Sequence, residues 1–441
     1  MTGQQEIYGR LRGQIEELPV IDCHEHAEGP AKAARCREPI ALLITGYLAS
    51  NLPTVPLPGS ADARPDLRAF LEDQDKPTEE KWPLFARVWR GIEHTAYARV
   101  TKLIMRDNYG ETEMSLPALQ RIRERLIDLR DPQVYGAILD KARIRCRLVD
   151  IWPDMKAFLT GKQTIYERDR LFISLPQFHA IRSWQNVFAI TQVIDQTVTN
   201  LDDYLAACRE IFRRMKERGA IGLKDQSAYT RTLAYDNPSR ADAETVFNSF
   251  MEDPRRSAGW PEAKALDDFL FHRFMDMARD LDLPVQIHTG HMAGIWNDIA
   301  KTNAVHFIPV LELHREVRFD LFHGNWPYMG EYLYIGKNFA NVNLDLCWLH
   351  IIDPVYARNL LIEGLTAVPH SKFHGFGGDY GDNILHAVAH LSIARDVIAE
   401  ALAERVDSGW LDERQAVQIA ADWLFNNPNE FFGLGFDRVE L

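Results

Sequence analysis

Cysteine is scarce in this 441-residue chain: five residues (Cys23, Cys36, Cys146, Cys208, Cys347), odd in number, scattered, and without a C-x-x-C pair. That excludes a disulfide framework and a cysteine-built zinc knuckle, and a reducing cytoplasm is the expected compartment. No apolar run approaches the roughly 18 residues of a membrane span, and the opening MTGQQEIYGRLRG lacks the basic-then-apolar order of a secretory leader, so neither is expected. Lys/Arg runs stop at pairs such as Arg213-Arg214, and 63 Asp+Glu against 50 Lys+Arg give a net charge of −13. A nucleic-acid or anionic-membrane partner is thereby disfavoured, leaving a small-molecule substrate, with homo-oligomerisation open. Internal repeats at 20–50 residues and low-complexity tracts are also missing, which excludes solenoids and arrays.

What is present is a series of short β-rich runs bounded by turn residues: Leu18–Cys23, Ile144–Ile151, Leu171–Leu175, Ala220–Lys224, Pro284–His288, Arg318–His323, Val342–Leu346 and Phe373–Gly378. Helical patterns such as Tyr204–Lys216, Leu266–Ala278 and Ile384–Leu402 lie between or after them. Parallel strands need a crossover each, so strict alternation predicts an α/β fold, a (β/α)8 TIM-type barrel. One interval of about 120 residues after the first strand is far longer than a normal crossover. It predicts a mostly helical insertion: residues 1–29 and 141–441 form the barrel, and 30–140 an inserted subdomain near its mouth. This insertion holds a proline-rich stretch, Leu52–Gly59, a Trp/Phe-rich helical portion from Glu79 to Asn108, and a helix near Leu116–Leu129. The tail from Val406 is expected to be helical and then turn-rich at Asn426-Asn427-Pro428-Asn429.

The chemistry-bearing residues fall at strand ends. The first strand runs into His24-Glu25-His26, whose imidazoles, two residues apart on an extended chain, point to one side and suit one metal ion. The fourth run ends in Lys224, the fifth in His288 and the sixth in His323, and Asp379 follows the eighth. Each alone reads as an ion-paired lysine, a hydrogen-bonded histidine or a helix cap; together, at strand ends that converge on one barrel mouth, they read as a metal site. An ammonium has no lone pair, so Lys224 either loses its proton on burial and forms a carbamate with carbon dioxide, or stays cationic and binds a substrate carboxylate beside one metal.

This pattern resembles the amidohydrolase superfamily, in which His-x-His after strand 1, a carboxylated lysine after strand 4, histidines after strands 5 and 6 and an aspartate after strand 8 hold the metal. The runs Gly222–Tyr229, Gln286–Gly290, His323–Tyr328 and Asn341–Asp345 look most like the amidohydrolase-2 branch, and within it like the barrels fused to glutamine-synthetase-like proteins and the γ-glutamyl amide hydrolases. The resemblance covers roughly residues 10–30 and 140–435. It departs in two places: the long insertion is more like that of uronate isomerases, and Gly377-Gly378 precedes Asp379 where many relatives have Thr or Ser.

The resemblance implies a hydrolase using one or two divalent ions, zinc expected and manganese the alternative. His24, His26 and Asp379 would hold one ion and His288 and His323 the other, with the Lys224 carbamate between. Asp379 is the expected proton acceptor and donor. Tyr229, Arg231, His291, Trp326 and Tyr328 are the expected substrate contacts, Arg231 through its planar fork, with Trp348, His350 and His179 nearby. Asp22 is expected to orient His24 or its neighbours. The expected reaction is cleavage of an amide, lactone or related carbonyl bond in a small carboxylated molecule. The alternatives are a uronate-isomerase-like isomerase or decarboxylase, and a non-catalytic binding module.

Overall fold

The computed structural model describes residues 3–33, 35–56, 64–381 and 383–441. Eight strands form: β1 Val20–Glu25, β2 Ile144–Val149, β3 Asp169–Ser174, β4 Gly222–Asp225, β5 Val285–His288, β6 Phe319–Phe322, β7 Val342–Asp345 and β8 Phe373–His374. They pair in sequence order, each parallel to the next. Their residues are almost all buried because helices cover the outside and neighbouring strands fill the inside, which is why they read as apolar runs. β8 is shorter than the predicted Phe373–Gly378: its ladder with β7 stops at His374, where the Gly375 N–H turns to the Trp423 carbonyl at 2.7 Å. The chain beyond it closes the barrel on β1, with Cys23 N–H on the Phe376 carbonyl at 3.0 Å, Asp379 N–H on His24 at 2.8 Å and His26 N–H on Tyr380 at 3.1 Å.

Local chemistry explains the crossovers. In the helix Leu201–Glu217, Asn200 caps the first turn by accepting from the Asp203 N–H, and Asp202 and Asp203 at the start oppose Arg214 and Lys216 at the end, as the helix dipole favours. Leu201, Tyr204, Cys208, Ile211 and Met215 recur at helical spacing and are the face laid on the barrel.

Residues 30–140 form helices at Pro39–Ile44, Tyr47–Asn51, Arg64–Glu72, Thr78–Ile92, Ala96–Tyr109, Leu116–Arg123 and Pro132–Lys141. Leu57, Pro58 and Gly59 of the proline-rich stretch lie outside the described residues. A buried knot ties the segment: Glu38 accepts from the Ile40 and Ala41 N–H groups, from the Thr78 hydroxyl and from the Lys81 ammonium at 2.8 Å. Lys81 also donates to the Leu71 carbonyl at 2.7 Å, so this fully buried cation is hydrogen-bonded as burial requires.

The tail corrects one expectation. Asn426–Asn429 is not a turn: a π-helical turn, Asp422–Asn426, runs directly into the helix Asn427–Phe432. The asparagines serve as brackets instead, Asn427 donating to the His370 and Phe373 carbonyls at 2.9 Å and Asn429 to Phe436 at 2.7 Å. Pro428 sits in the first turn of that helix, where no N–H is needed.

Candidate metal centre

The C-terminal ends of β1, β4, β5 and β6 and the segment after β8 bring His24, His26, Lys224, His288, His323 and Asp379 into one buried region. Each histidine has one ring nitrogen committed to an acceptor. His24 Nδ1 faces Gln286 Oε1 at 2.7 Å, His26 Nδ1 the Asp150 carbonyl at 2.8 Å, His323 Nδ1 the Cys347 carbonyl at 2.9 Å and His288 Nε2 the His291 carbonyl at 2.8 Å. Carbonyl oxygens only accept, so those nitrogens carry the protons and the opposite nitrogens present lone pairs. The lone pairs face each other: His24 Nε2 and His26 Nε2 are 3.2 Å apart, and so are His323 Nε2 and His288 Nδ1.

Two lone pairs at that separation repel unless positive charge lies between them. Asp379 Oδ1 completes a triangle at 3.4 Å from His24 and 3.3 Å from His26, and its Oδ2 lies 3.8 Å from His323 Nε2. Ligands at about 2.0–2.1 Å around a tetrahedral ion stand about 3.3 Å apart, so the triangle has the edges of one face of such a site. The residues present therefore fit a divalent ion at His24, His26 and Asp379. His288 and His323 form a second facing pair on the other side of the same carboxylate.

The electrostatics agree. Burial pulls His24, His288 and His323 well below the usual histidine value, and neighbouring His26, Lys224 and His288 add to this, so these rings stay neutral donors. Burial lowers His26 too, but Asp379 outweighs it and the net shift is upward: the gap between them favours positive charge. Lys224, 1% exposed, has its ammonium drawn down by burial against the pull of Asp150, Asp379 and Asp225. Its Nζ donates to the Asp225 carbonyl at 3.2 Å and lies 4.0 Å over the Phe322 ring.

The backbone is shaped to the site. Asp379, His323 and Trp348 all hold left-handed φ, at 61°, 71° and 62°, a conformation that non-glycine residues adopt when surroundings impose it. Gly378 is required by crowding: a Cβ there would lie 1.9 Å from Glu25 Oε1. That glutamate's other oxygen accepts the Tyr380 N–H at 3.0 Å, while Asp22 accepts the Gly378 N–H at 2.9 Å. At Gly378 the space of a side chain is thus taken by Glu25 of β1, at Gly377 by Cys347, and Asp22, raised to about 6 by burial, holds the backbone leading to Asp379.

Around the mouth, the Tyr229 ring lies 4.9 Å from His288 and its hydroxyl accepts the Ala293 N–H at 3.0 Å; His291 lies 5.4 Å from the Trp326 ring and 4.8 Å from Trp348. Tyr328 is brought in by its backbone, exchanging hydrogen bonds with Asn325. His350 turns inward to the Gly375 carbonyl at 2.9 Å, and His179 faces Asp225 at 3.4 Å and Ser227 at 3.2 Å.

Arg231 lies deeper than its position after β4 suggests. It is 2% exposed, ion-paired to Asp268 at 2.6 Å and stacked 3.8 Å over Tyr235, with further bonds to the Thr232 and Ala234 carbonyls at 3.1 and 3.2 Å. Most of its fork is engaged inside the protein, through Nε and Nη2, and Nη1 lies 3.7 Å from Asp267. Sequence reading missed Tyr47, from the inserted segment, whose hydroxyl donates to the Asp379 carbonyl and whose ring stacks 4.0 Å from Trp348. It also missed Asp150, whose carbonyl orients His26. A polar residue inside an apolar strand was the available signal for Gln286, whereas Tyr47 carried none.

Residues 193–381 match the amidohydrolase family. Protein fluG of Emericella nidulans is 27% identical over 226 residues, 48% of this chain and 26% of that protein, so the chain spans about a quarter of this curated relative. Among solved structures, glucuronate isomerase from Caulobacter crescentus superposes with a TM-score of 0.75 at 18% identity, covering 99% of this chain and 95% of that one. Uronate isomerase from Thermotoga maritima gives 0.72 at 13% identity, covering 97% of each. A metal-dependent hydrolase from Lactobacillus casei gives 0.63 at 15%, covering 96% and 97%. At these identities the likeness is one of fold. Among the described residues no helix is long and apolar enough to cross a membrane.

Proposed function

With the amidohydrolase superfamily as the chain's family resemblance, we propose that it is a metal-dependent hydrolase of an amide, lactone or related carbonyl bond in a small, carboxylated molecule. The observation that carries this reading is the His24–His26–Asp379 triangle with a second lone-pair couple, His288 and His323, of which His323 faces the other oxygen of the same aspartate at 3.8 Å. A divalent ion there, zinc by preference for imidazole-rich sites, supplies Lewis acidity to the carbonyl and acidifies a water.

The chain's own residues do the rest. Asp379 lies against both histidine pairs and is 8% exposed, so its carboxylate accepts the water's proton and returns it to the leaving group. Lys224, with its ammonium disfavoured by burial, would react as the neutral amine with carbon dioxide, losing a proton to give a carbamate that would help hold the ions together with the histidines. Tyr229, His291 and Trp326, at the mouth, are the residues that would orient the substrate.

Metal content per chain, measured by plasma mass spectrometry after refilling in bicarbonate, tests this. About two ions per chain, with turnover in an amide and lactone screen, is expected. One ion or none would turn the reading to a cationic Lys224 and an isomerase or decarboxylase acting on a sugar acid. The full-length superposition on uronate isomerases, inserted segment included, is what supports that second reading.

A further inference from the structure

Below the metal site, one polar side chain from each of four neighbouring strands, β5 to β8, joins a hydrogen-bonded chain inside the barrel. Gln286 of β5 is fully buried, and its Nε2 donates to Asp320 Oδ2 of β6 at 2.9 Å and to the Cys23 carbonyl of β1 at 3.2 Å. Asp320 Oδ1 is 3.0 Å from His374 Nδ1 of β8, and His374 Nε2 lies 3.1 Å from Asn343 Nδ2 of β7. Gln286 Oε1 is 2.7 Å from His24 Nδ1.

An amide has one donating and one accepting end, so its orientation is decided by what its neighbours can do. A carboxylate and a carbonyl are both acceptors, and both sit at one end of Gln286; that end must be the NH2 group. The oxygen then faces His24 and accepts, so His24 must carry its proton on Nδ1. The lone pair is left on Nε2, the atom that faces His26 and Asp379. A glutamate at this position would meet Asp320 as a second buried carboxylate, and an apolar residue would leave His24 free to take either tautomer. Glutamine is the side chain that satisfies all three neighbours and is uncharged at every pH.

We propose that Gln286, oriented by Asp320, is the positioning residue that fixes His24 as an Nε2 metal ligand. The inference rests on the metal-site reading above but not on any particular substrate. Partners of this kind orient metal-bound histidines and typically change metal affinity by about 10–100-fold when removed.

The test uses the full chain and zinc alone. Gln286→Met should keep the circular dichroism of the metal-free protein while its zinc affinity, read by chelator competition, falls about 10–100-fold. Nitrogen-15 spectra of histidine-labelled, metal-free wild type should show His24 wholly in the Nδ1–H form, and those of the variant a mixture. Unchanged zinc affinity in a folded Gln286→Met protein would overturn the proposal, as would an Nε2–H His24 in wild type. If the variant does not fold, the wild-type tautomer decides. A protein that binds zinc and responds in this way, yet cleaves no amide or lactone, would count against the hydrolase reading and leave the role of Gln286 standing.

Discussion

Replacing Arg231 by methionine separates the structural reading of that residue from the substrate-binding role its position suggests. The substitution keeps an unbranched apolar stem and removes the charge that faces Asp268 at 2.6 Å and Asp267 at 3.7 Å. Breaking a buried ion pair from one side costs about 3–5 kcal/mol, because the remaining charge keeps its desolvation penalty. Here Asp267 retains both bonds from Arg182, at 2.5 and 2.7 Å, and Asp268 retains Lys264 and the Asp236 N–H at 2.9 Å. The cost should therefore lie at the lower end, about 3 kcal/mol. At about 2.1 cal/mol/K per residue, the 441-residue chain has an unfolding entropy of about 0.9 kcal/mol/K, so Tm should drop by about 3 °C. Urea unfolding and calorimetry measure the loss, and KM should stay within about twofold of wild type. A tenfold rise in KM at unchanged stability would refute the argument and return Arg231 to the substrate.

Asp379→Asn should retain bound metal on the histidines and lose about 10²–10⁴-fold in kcat; undiminished turnover would remove the proton-transfer role. His386, buried in the helix Ile384–Asp407, is drawn down to about 4 by burial, so at pH 5 the unfolded chain takes a proton there that the folded chain refuses. Its contribution is complete above about pH 6.5 and is lost as pH falls toward the folded value, about 2 kcal/mol by pH 5. His386→Leu should flatten the fall in stability between pH 7 and pH 5 by that amount, and an unchanged slope in urea titrations would argue against it. Tyr47→Phe leaves the Asp379 carbonyl without its donor and should cost about 1–3 kcal/mol in unfolding free energy; an equally stable variant would show that the contact contributes nothing.

The barrel was legible because parallel strands covered on both faces become short apolar runs, and the clustering of the candidate ligands was legible because such strands deliver their last residues to one mouth. Boundaries shifted where hydrogen bonds, not hydropathy, end a strand: β8 keeps only Phe373–His374 in its ladder with β7 because the Gly375 N–H pairs with Trp423. The ion pairs of Arg231 were not legible, because position after a strand says nothing about what lies beneath it, and Asp267 and Asp268 come from a helix more than 30 residues later. Tyr47 meets Asp379 across 332 residues, a contact that neither periodicity nor composition encodes. Gln286, Asp320, Asn343 and His374 stood in the sequence as polar residues interrupting apolar strands, and their meaning appears only when the strands are wound side by side.

The seam between β1 and the segment after β8 gives the His24–His26–Asp379 triangle a second significance. Those three side chains come from segments about 350 residues apart, and the backbone beside them is joined by the bonds at Cys23, His26 and Asp379. Whatever ion the triangle holds is also a rivet across the line where the cylinder was rolled shut. Emptying it should loosen the rim of the barrel there first, so amide exchange at Cys23, His26 and Asp379 should quicken ahead of exchange in β4 to β6.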